Sequence, residues 1–193
     1  MSTRVTVVYG APTPPGRLST AVDHVAERLA AEPGEVVVYR IDLHHEPLAP
    51  MRTSWSDELD PRNARAVETI DASDAVVFGS PVYRASLPGV LKNLLDHLSV
   101  ASLRDKPVGL VVVGARPHHF LGVDRHMRDI LGWFGAVPLP TSAYLTHDDF
   151  EEGRLRPDAE AALDGLAGSL LQLCDRLAGV AFGPAPLAAA EVK

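Results

Sequence analysis

Four short apolar runs rich in β-branched residues, Arg4–Tyr9, Glu35–Ile41, Ala75–Phe78 and Pro107–Val113, constrain what this chain can fold into more than any other feature. Runs of that kind have no polar face to offer water, so each reads as a strand covered on both sides. Between them the apolar spacing turns helical. Leu18, Val22, Val25, Ala26 and Leu29 lie on one stripe that Pro33-Gly34 ends, and Pro61 opens a second helix through Ala64, Val67 and Ile70. Pro88 opens a third, carrying Val90, Leu91, Leu94, Leu95 and Leu98. A helix over Phe120–Phe134, a short fifth strand near Leu139–Leu145 and a closing helix from Pro157 to Leu177 complete the alternation. The third strand is read as stopping at Gly79, with Ser80–Leu87 as loop, and Asp42–Asp60, with Pro47 and Pro50, as a long surface loop.

Strand and helix in alternation give a parallel sheet with crossover helices packed on both faces. Five strands so connected suggest an α/β, flavodoxin-like three-layer sandwich with a five-stranded parallel sheet of order 2-1-3-4-5. The length, 193 residues, suits one domain, expected over residues 1–180, with an Ala/Pro-rich tail over 181–193 expected to be disordered. Lys plus Arg number 18 against 25 for Asp plus Glu, a net charge of −7, the wrong sign for a protein that neutralises nucleic-acid phosphates. The single cysteine, Cys174, forms no internal disulfide and no thiolate pair for zinc, which fits a reducing cytoplasm. No apolar run reaches the roughly 20 residues of a membrane span, and neither export nor membrane insertion is expected.

In such a sheet ligands bind beyond the carboxyl ends of the strands, where the strand order reverses, so the loops opening at Gly10, Ser80 and Gly114 are the candidate site. The first, Gly10-Ala11-Pro12-Thr13-Pro14-Pro15-Gly16-Arg17-Leu18-Ser19-Thr20, joins a buried strand to a helix N-terminus. Free N–H groups there, the Arg17 guanidinium and the Ser19 and Thr20 hydroxyls suit a phosphate monoester; an ordinary turn capped by Ser19 or Thr20 is the alternative. Neither a Gly-Lys-Ser/Thr ending nor G-x-G-x-x-G is present, which excludes two large nucleotide-binding classes. The second loop sets Pro81, Val82, Tyr83 and Arg84 beyond a buried strand, rigid enough to line a planar heterocycle; a proline-stiffened structural turn is the alternative. The third, Gly114-Ala115-Arg116-Pro117-His118-His119, starts with small residues that let a ligand approach the backbone. Its adjacent histidines lack the helical i, i+4 spacing of a metal pair, so no metal is expected.

These residues carry a family resemblance. Gly10-x-Pro12 with Arg17 and Ser19, followed by Ser-Pro-Val-Tyr-Arg-Ala-Ser-Leu-Pro-Gly-Val-Leu-Lys-Asn-Leu-Leu-Asp over 80–96, resembles the NAD(P)H-dependent FMN reductases of the flavodoxin-like superfamily. The segment from Gly114 to Leu131 and Asp148-Asp149-Phe150 further resemble the sulfonate-utilisation branch, whose members reduce FMN for a partner monooxygenase. The resemblance covers roughly residues 4–178. It implies that backbone groups around Thr13–Gly16 with Arg17, Ser19 and Thr20 hold the FMN phosphate, that Gly10 and Pro12 belong to the same cofactor-binding loop, that Pro81, Val82, Tyr83 and Arg84 flank the isoalloxazine, and that Gly114, Ala115 and Arg116 meet its pyrimidine side. Departures are Ala11 where the family often has Ser, Gly16 or Leu18 in place of a hydroxyl residue, and Gly114-Ala115 in place of Gly-Gly. Each missing hydroxyl removes a hydrogen bond worth about 1 kcal/mol, which suits an exchangeable flavin.

The resemblance also implies hydride passing from NADPH or NADH to flavin N5, with no side chain as acid, base or nucleophile; loop N–H groups stabilise charge on the reduced ring, and Arg84 and Arg116 attract dinucleotide phosphates. Partners implied are a flavin-dependent monooxygenase and further copies of the chain as homodimer or homotetramer, through the Trp133-Phe134 helix with Leu91, Leu94 and Leu98; packing of these residues in the core alone is the alternative. Competing readings are an FMN-retaining quinone, azo, nitro or metal-ion reductase and a non-catalytic electron carrier. His24, His97, His126 and His147 are expected to be solvated, and Cys174 to be a small buried apolar residue on the closing helix rather than a reactive thiol.

Overall fold

The structure is a computed structural model that describes residues 2–51, 59–184 and 186, with Leu121 described by its backbone alone. Its elements are β1 (Thr3–Tyr9), α1 (Arg17–Ala30), β2 (Val36–Asp42), α2 (Pro61–Asp71), β3 (Ala75–Pro81), α3 (Gly89–His97), α4 (Val100–Leu103), β4 (Pro107–Val113), α5 (Phe120–Phe134), β5 (Val137–Pro138), β6 (Ala143–Leu145), β7 (Phe150–Glu151), β8 (Arg154–Leu155) and α6 (Pro157–Leu177). The main sheet is wholly parallel in the order β2-β1-β3-β4-β5, with β6 also on β4. It is the flavodoxin-like order read from the sequence.

Two-residue periodicity of the strands explains both covering layers. Val5, Val7, Val77 and Val111 point to one face, where Val22, Val25 and Leu29 of α1 and Leu163, Ala167 and Leu170 of α6 meet them. Val8, Val76, Phe78, Leu110 and Val112 point to the other, against Ile70, Leu91, Leu94, Val123, Met127 and Leu131 from α2, α3 and α5. Each fully buried side chain of this size contributes about 1.5–3 kcal/mol, so the central strands are the most firmly held part of the molecule. Helix starts follow local chemistry: Asp60 accepts from the Arg62 N–H (2.9 Å) ahead of Pro61, and α5 ends at Gly135 in the left-handed conformation (φ 69°).

Three local expectations change. The third strand does not stop at Gly79 but continues through Ser80 and Pro81, which pair with Val112 and Val113. The fifth strand is broken: β5 pairs with the base of β4 and β6 with its top. Pro138 and Pro140 flank Leu139 and cannot donate to a ladder, so the chain leaves the sheet between them. The β7–β8 hairpin and the one-turn α4 were not legible, being too short to show a period. Of the two readings of Leu91, Leu94 and Leu98, a subunit contact or core packing, the second holds: they are at most 2% exposed and belong to the core.

His97 corrects another expectation. It is 8% exposed, its Nδ1–H donates to the Asn93 carbonyl (2.7 Å), and its Nε2 accepts from the Asn63 amide (2.7 Å). Asn63 in turn makes a two-way pair with the Ala49 backbone at 3.0 Å each, so the ring ties α2 and α3 to the long loop after β2. The expected disorder of 181–193 falls partly outside the described residues; within them, the Phe182 N–H donates to Asp105 Oδ1 (3.1 Å). No described helix is long and apolar enough to cross a membrane.

Candidate active site

The three loops singled out in the sequence leave one edge of the sheet side by side. Tyr9 is in register with Gly79, and Pro81 with Val113. Pairing continues one residue past each strand: the Gly10 N–H donates to the Gly79 carbonyl (2.9 Å), Val82 N–H to Val113 (2.9 Å), and Gly114 N–H to Leu145 (2.8 Å). The loop roots are therefore as rigid as the sheet. These same bonds remove Gly10, Val82 and Gly114 as backbone donors to a ligand, which corrects part of the expected constellation.

The first loop is exposed from Pro12 to Arg17. Pro12, Pro14 and Pro15 have no N–H, so its donors are Thr13, Gly16 and the opening turn of α1. Gly16 occupies the cap position with no side-chain cap, and the first α1 bond is from the Thr20 N–H to the Gly16 carbonyl (3.0 Å). Neither Ser19 nor Thr20 caps the helix; the Thr20 hydroxyl bonds back to the Gly16 carbonyl (3.3 Å). The N–H groups of Arg17, Leu18 and Ser19 therefore point outward at the positive end of the helix dipole. Gly10 itself is buried, and a side chain there would overlap the Gly79 carbonyl and Leu91, so it packs below the loop rather than lining it.

The second loop closes on itself in four residues. The Tyr83 N–H donates to the Ser86 carbonyl and the Ser86 N–H to that of Tyr83, both at 2.9 Å, with Arg84 and Ala85 in the left-handed region (φ 50° and 61°). Both central residues at positive φ make a tight hairpin turn, strained for side chains other than glycine. Two contacts from α5 brace it: Ser86 Oγ meets His126 Nδ1 at 2.9 Å, and Gly122 lies against the Ala85 backbone. His126 is thus a brace rather than only a solvated residue. Tyr83, 39% exposed, and Arg84 project from the braced turn.

At the third loop the expected room above Gly114 is taken. A side chain on Gly114 would run into the Tyr144 ring, whose hydroxyl donates to the Arg116 carbonyl (2.6 Å) and whose edge meets Phe120 with centroids 5.5 Å apart. Burial raises the Tyr144 phenol above its ordinary pKa, so it stays a donor at neutral pH. Ala115 and Arg116 are exposed, and no described hydrogen bond engages their N–H groups. Tyr144 was missed because it sits on the broken strand; an aromatic two residues past a Pro-x-Pro-x-Ser interruption is the one hint. The imidazoles of His118 and His119 meet edge to face with centroids 4.3 Å apart.

Arg17, Arg84 and Arg116 stand one on each loop, all exposed, and none makes an ion pair among the described residues. In a chain of net charge −7, three guanidiniums at one rim without an ion-pair partner among the described residues concentrate positive potential there. Together with the outward N–H groups of α1, the donor set fits a ligand with a phosphate tail. Exposed Tyr83 and the free Ala115 and Arg116 amides suit a flat polar ring beside it.

Comparison with known proteins identifies the family. Residues 3–151 match the model of the NADPH-dependent FMN reductase family. The NADH-dependent FMN reductase SfnF of Pseudomonas putida is 31% identical over 162 residues, spanning 81% of this chain and 84% of its own. An NADPH azoreductase of Bacillus sp. is 25% identical over 171 residues, spanning 86% and 90%. The oxidoreductase structure from Corynebacterium diphtheriae superposes with a TM-score of 0.75 at 21% identity, over 90% of this chain and 97% of that one, and so shares the fold. The chain belongs to the NADPH-dependent FMN reductase family and is an oxidoreductase that works with FMN and a nicotinamide dinucleotide.

Proposed function

We propose that the protein reduces exchangeable FMN at the expense of NADPH or NADH at this rim and hands the product to a flavin-dependent monooxygenase. The observation that carries the reading is the placement of Arg17, Arg84 and Arg116, each unpaired among the described residues, around outward-facing N–H groups. Arg17 and the N–H groups of Thr13, Gly16, Leu18 and Ser19 hold the phosphate; the Ser19 hydroxyl supplies a further donor. Pro81, Val82 and Tyr83 flank the ring, while the Ala115 and Arg116 amides face its polar edge. When bound, FMN supplies the two-electron chemistry, and the protein contributes orientation, exclusion of water and charge stabilisation. Arg84 and Arg116 draw in the dinucleotide phosphates. The four-residue turn keeps Arg84 at a fixed height above the sheet edge.

Release of the product is consistent with a phosphate loop that offers two side-chain hydroxyls near the helix start and three prolines without N–H. The azoreductase likeness favours one alternative, an enzyme that retains FMN and reduces azo or quinone acceptors. The cytoplasm, where both dinucleotides are held, is the compartment this reading requires. Self-association fits an apolar groove of about 370 Å³ between α3 and α5, lined by Met51, Leu95, Ile130 and Trp133 with Lys92 and Asp96 at its edge. Trp133 is 55% exposed there, and a homodimer that covers it is the proposed assembly.

The test is a visible spectrum of the purified protein with and without FMN, followed by NADPH and NADH oxidation with FMN, a quinone or an azo dye as acceptor. Turnover with free FMN supports the reading; turnover with the other acceptors alone moves it to the alternative. Absence of both FMN binding and FMN-dependent oxidation rejects it. For the phosphate role, Arg17→Ala should weaken FMN at least tenfold and riboflavin little, and equal loss for the two flavins contradicts it.

A further inference from the structure

We infer that His44, on the loop after β2, is a positioning residue that holds the phosphate loop in its binding shape; the inference rests on the reading of that loop given above. His44 Nδ1 lies 3.0 Å from the Pro12 carbonyl, and since a carbonyl can only accept, the ring carries its proton on Nδ1 and donates it. This is the one polar tie on the backbone of residues 11–15 among the described residues. With three prolines and no main-chain bond of its own, the loop owes its conformation to that single anchor and to the packing of Ala11 against the core.

The anchor is itself held. Asp42 Oδ1 accepts from the His44 N–H (2.9 Å) and the His45 N–H (3.2 Å), and Asp42 Oδ2 meets His45 Nδ1 at 2.7 Å. Burial works to raise the Asp42 pKa, but these hydrogen bonds outweigh it and hold the carboxyl below its ordinary value, so it accepts in full at neutral pH. Asp42 closes β2 in register with Tyr9, and the Leu43 N–H donates to the Tyr9 carbonyl (3.2 Å). The path from the rigid sheet to the phosphate loop therefore runs Tyr9, Asp42, His44, Pro12. His44 need touch no ligand: by fixing Pro12 it fixes where the Thr13 and Gly16 amides point, and only a flavin with a phosphate draws on those.

The experiment is titration of FMN and of riboflavin into wild type, His44→Ala and His44→Asn, followed by flavin fluorescence. Asparagine places a side-chain N–H near the imidazole Nδ1–H and can donate to Pro12. Loss of one anchoring hydrogen bond predicts an FMN Kd about five- to tenfold higher in His44→Ala, riboflavin changed by less than about twofold, and His44→Asn restored to within about twofold of wild type. Unchanged FMN binding in His44→Ala, an equal loss for both flavins, or no rescue by asparagine overturns the inference while leaving the flavin reading intact. A wild type that binds FMN no better than riboflavin brings down the phosphate loop and the role of His44 together.

Discussion

Replacing Ala85 by glycine should stabilise this protein, although it removes a side chain from a turn of the candidate site. Ala85 sits at φ 61° next to Arg84 at φ 50°, both exposed, so its methyl group earns no packing and meets the steric penalty of left-handed backbone. That penalty is about 1–2 kcal/mol for an L-residue. Against it stands the greater freedom glycine gives the unfolded chain, about 0.4–1 kcal/mol. The difference leaves Ala85→Gly more stable by about 0.5–1 kcal/mol, and at about 2–4 °C per kcal/mol for a chain this long the Tm should rise by about 1–4 °C. The molecule contains its own comparison: the turn between β7 and β8 carries Glu152 at φ 49° followed by Gly153 at φ 80°, glycine standing where the site turn has Ala85. Thermal melts followed by circular dichroism measure the effect, with Arg84→Gly as partner variant. Both variants relieve strain, but only Arg84→Gly removes a charge from the rim, so it alone should raise the KM for the dinucleotide. An unchanged or lower Tm for Ala85→Gly refutes the strain argument.

Three other outcomes are expected. Gly114→Ala should displace the Tyr144 ring, break its bond to the Arg116 carbonyl and cost about 1–2 kcal/mol with weaker FMN binding, whereas Tyr144→Phe, which keeps the ring, should cost about 1 kcal/mol; equal melts for Gly114→Ala and wild type contradict the packing seen here. His97→Leu should lower stability by about 1–3 kcal/mol in urea unfolding because it strands the buried Asn63 amide, and a surface-like change below about 0.5 kcal/mol denies the network its role. The Cys174 thiol is pushed up to about 12 by burial, with the charges of Asp74 and Asp175 adding, so at pH 8 it is protonated in the folded state and reacts with a disulfide reagent only as the protein unfolds; rapid labelling of native protein would show an accessible thiolate.

The sequence by itself determined the layers, the strand order and which three loops leave the carboxyl edge of the sheet together, because those follow from local apolar periodicity and from the handedness of crossover connections. Arg17, Tyr83, Arg84 and Arg116 were legible for the same reason: each lies a few residues beyond a strand whose end the pattern marks. What the tertiary structure alone decided is which atoms of those loops are free. The Val82 and Gly114 amides are spent on neighbouring strands, the space above Gly114 is filled by Tyr144 from 30 residues further along, and Pro12 is held by His44 from 32 residues away. His97 looked like one more surface histidine until Asn63 and the Asn93 carbonyl closed around it. Periodicity reports only the face on which a residue lies, whereas hydrogen-bond commitment depends on partners brought together across the sheet, and no local pattern carries that information.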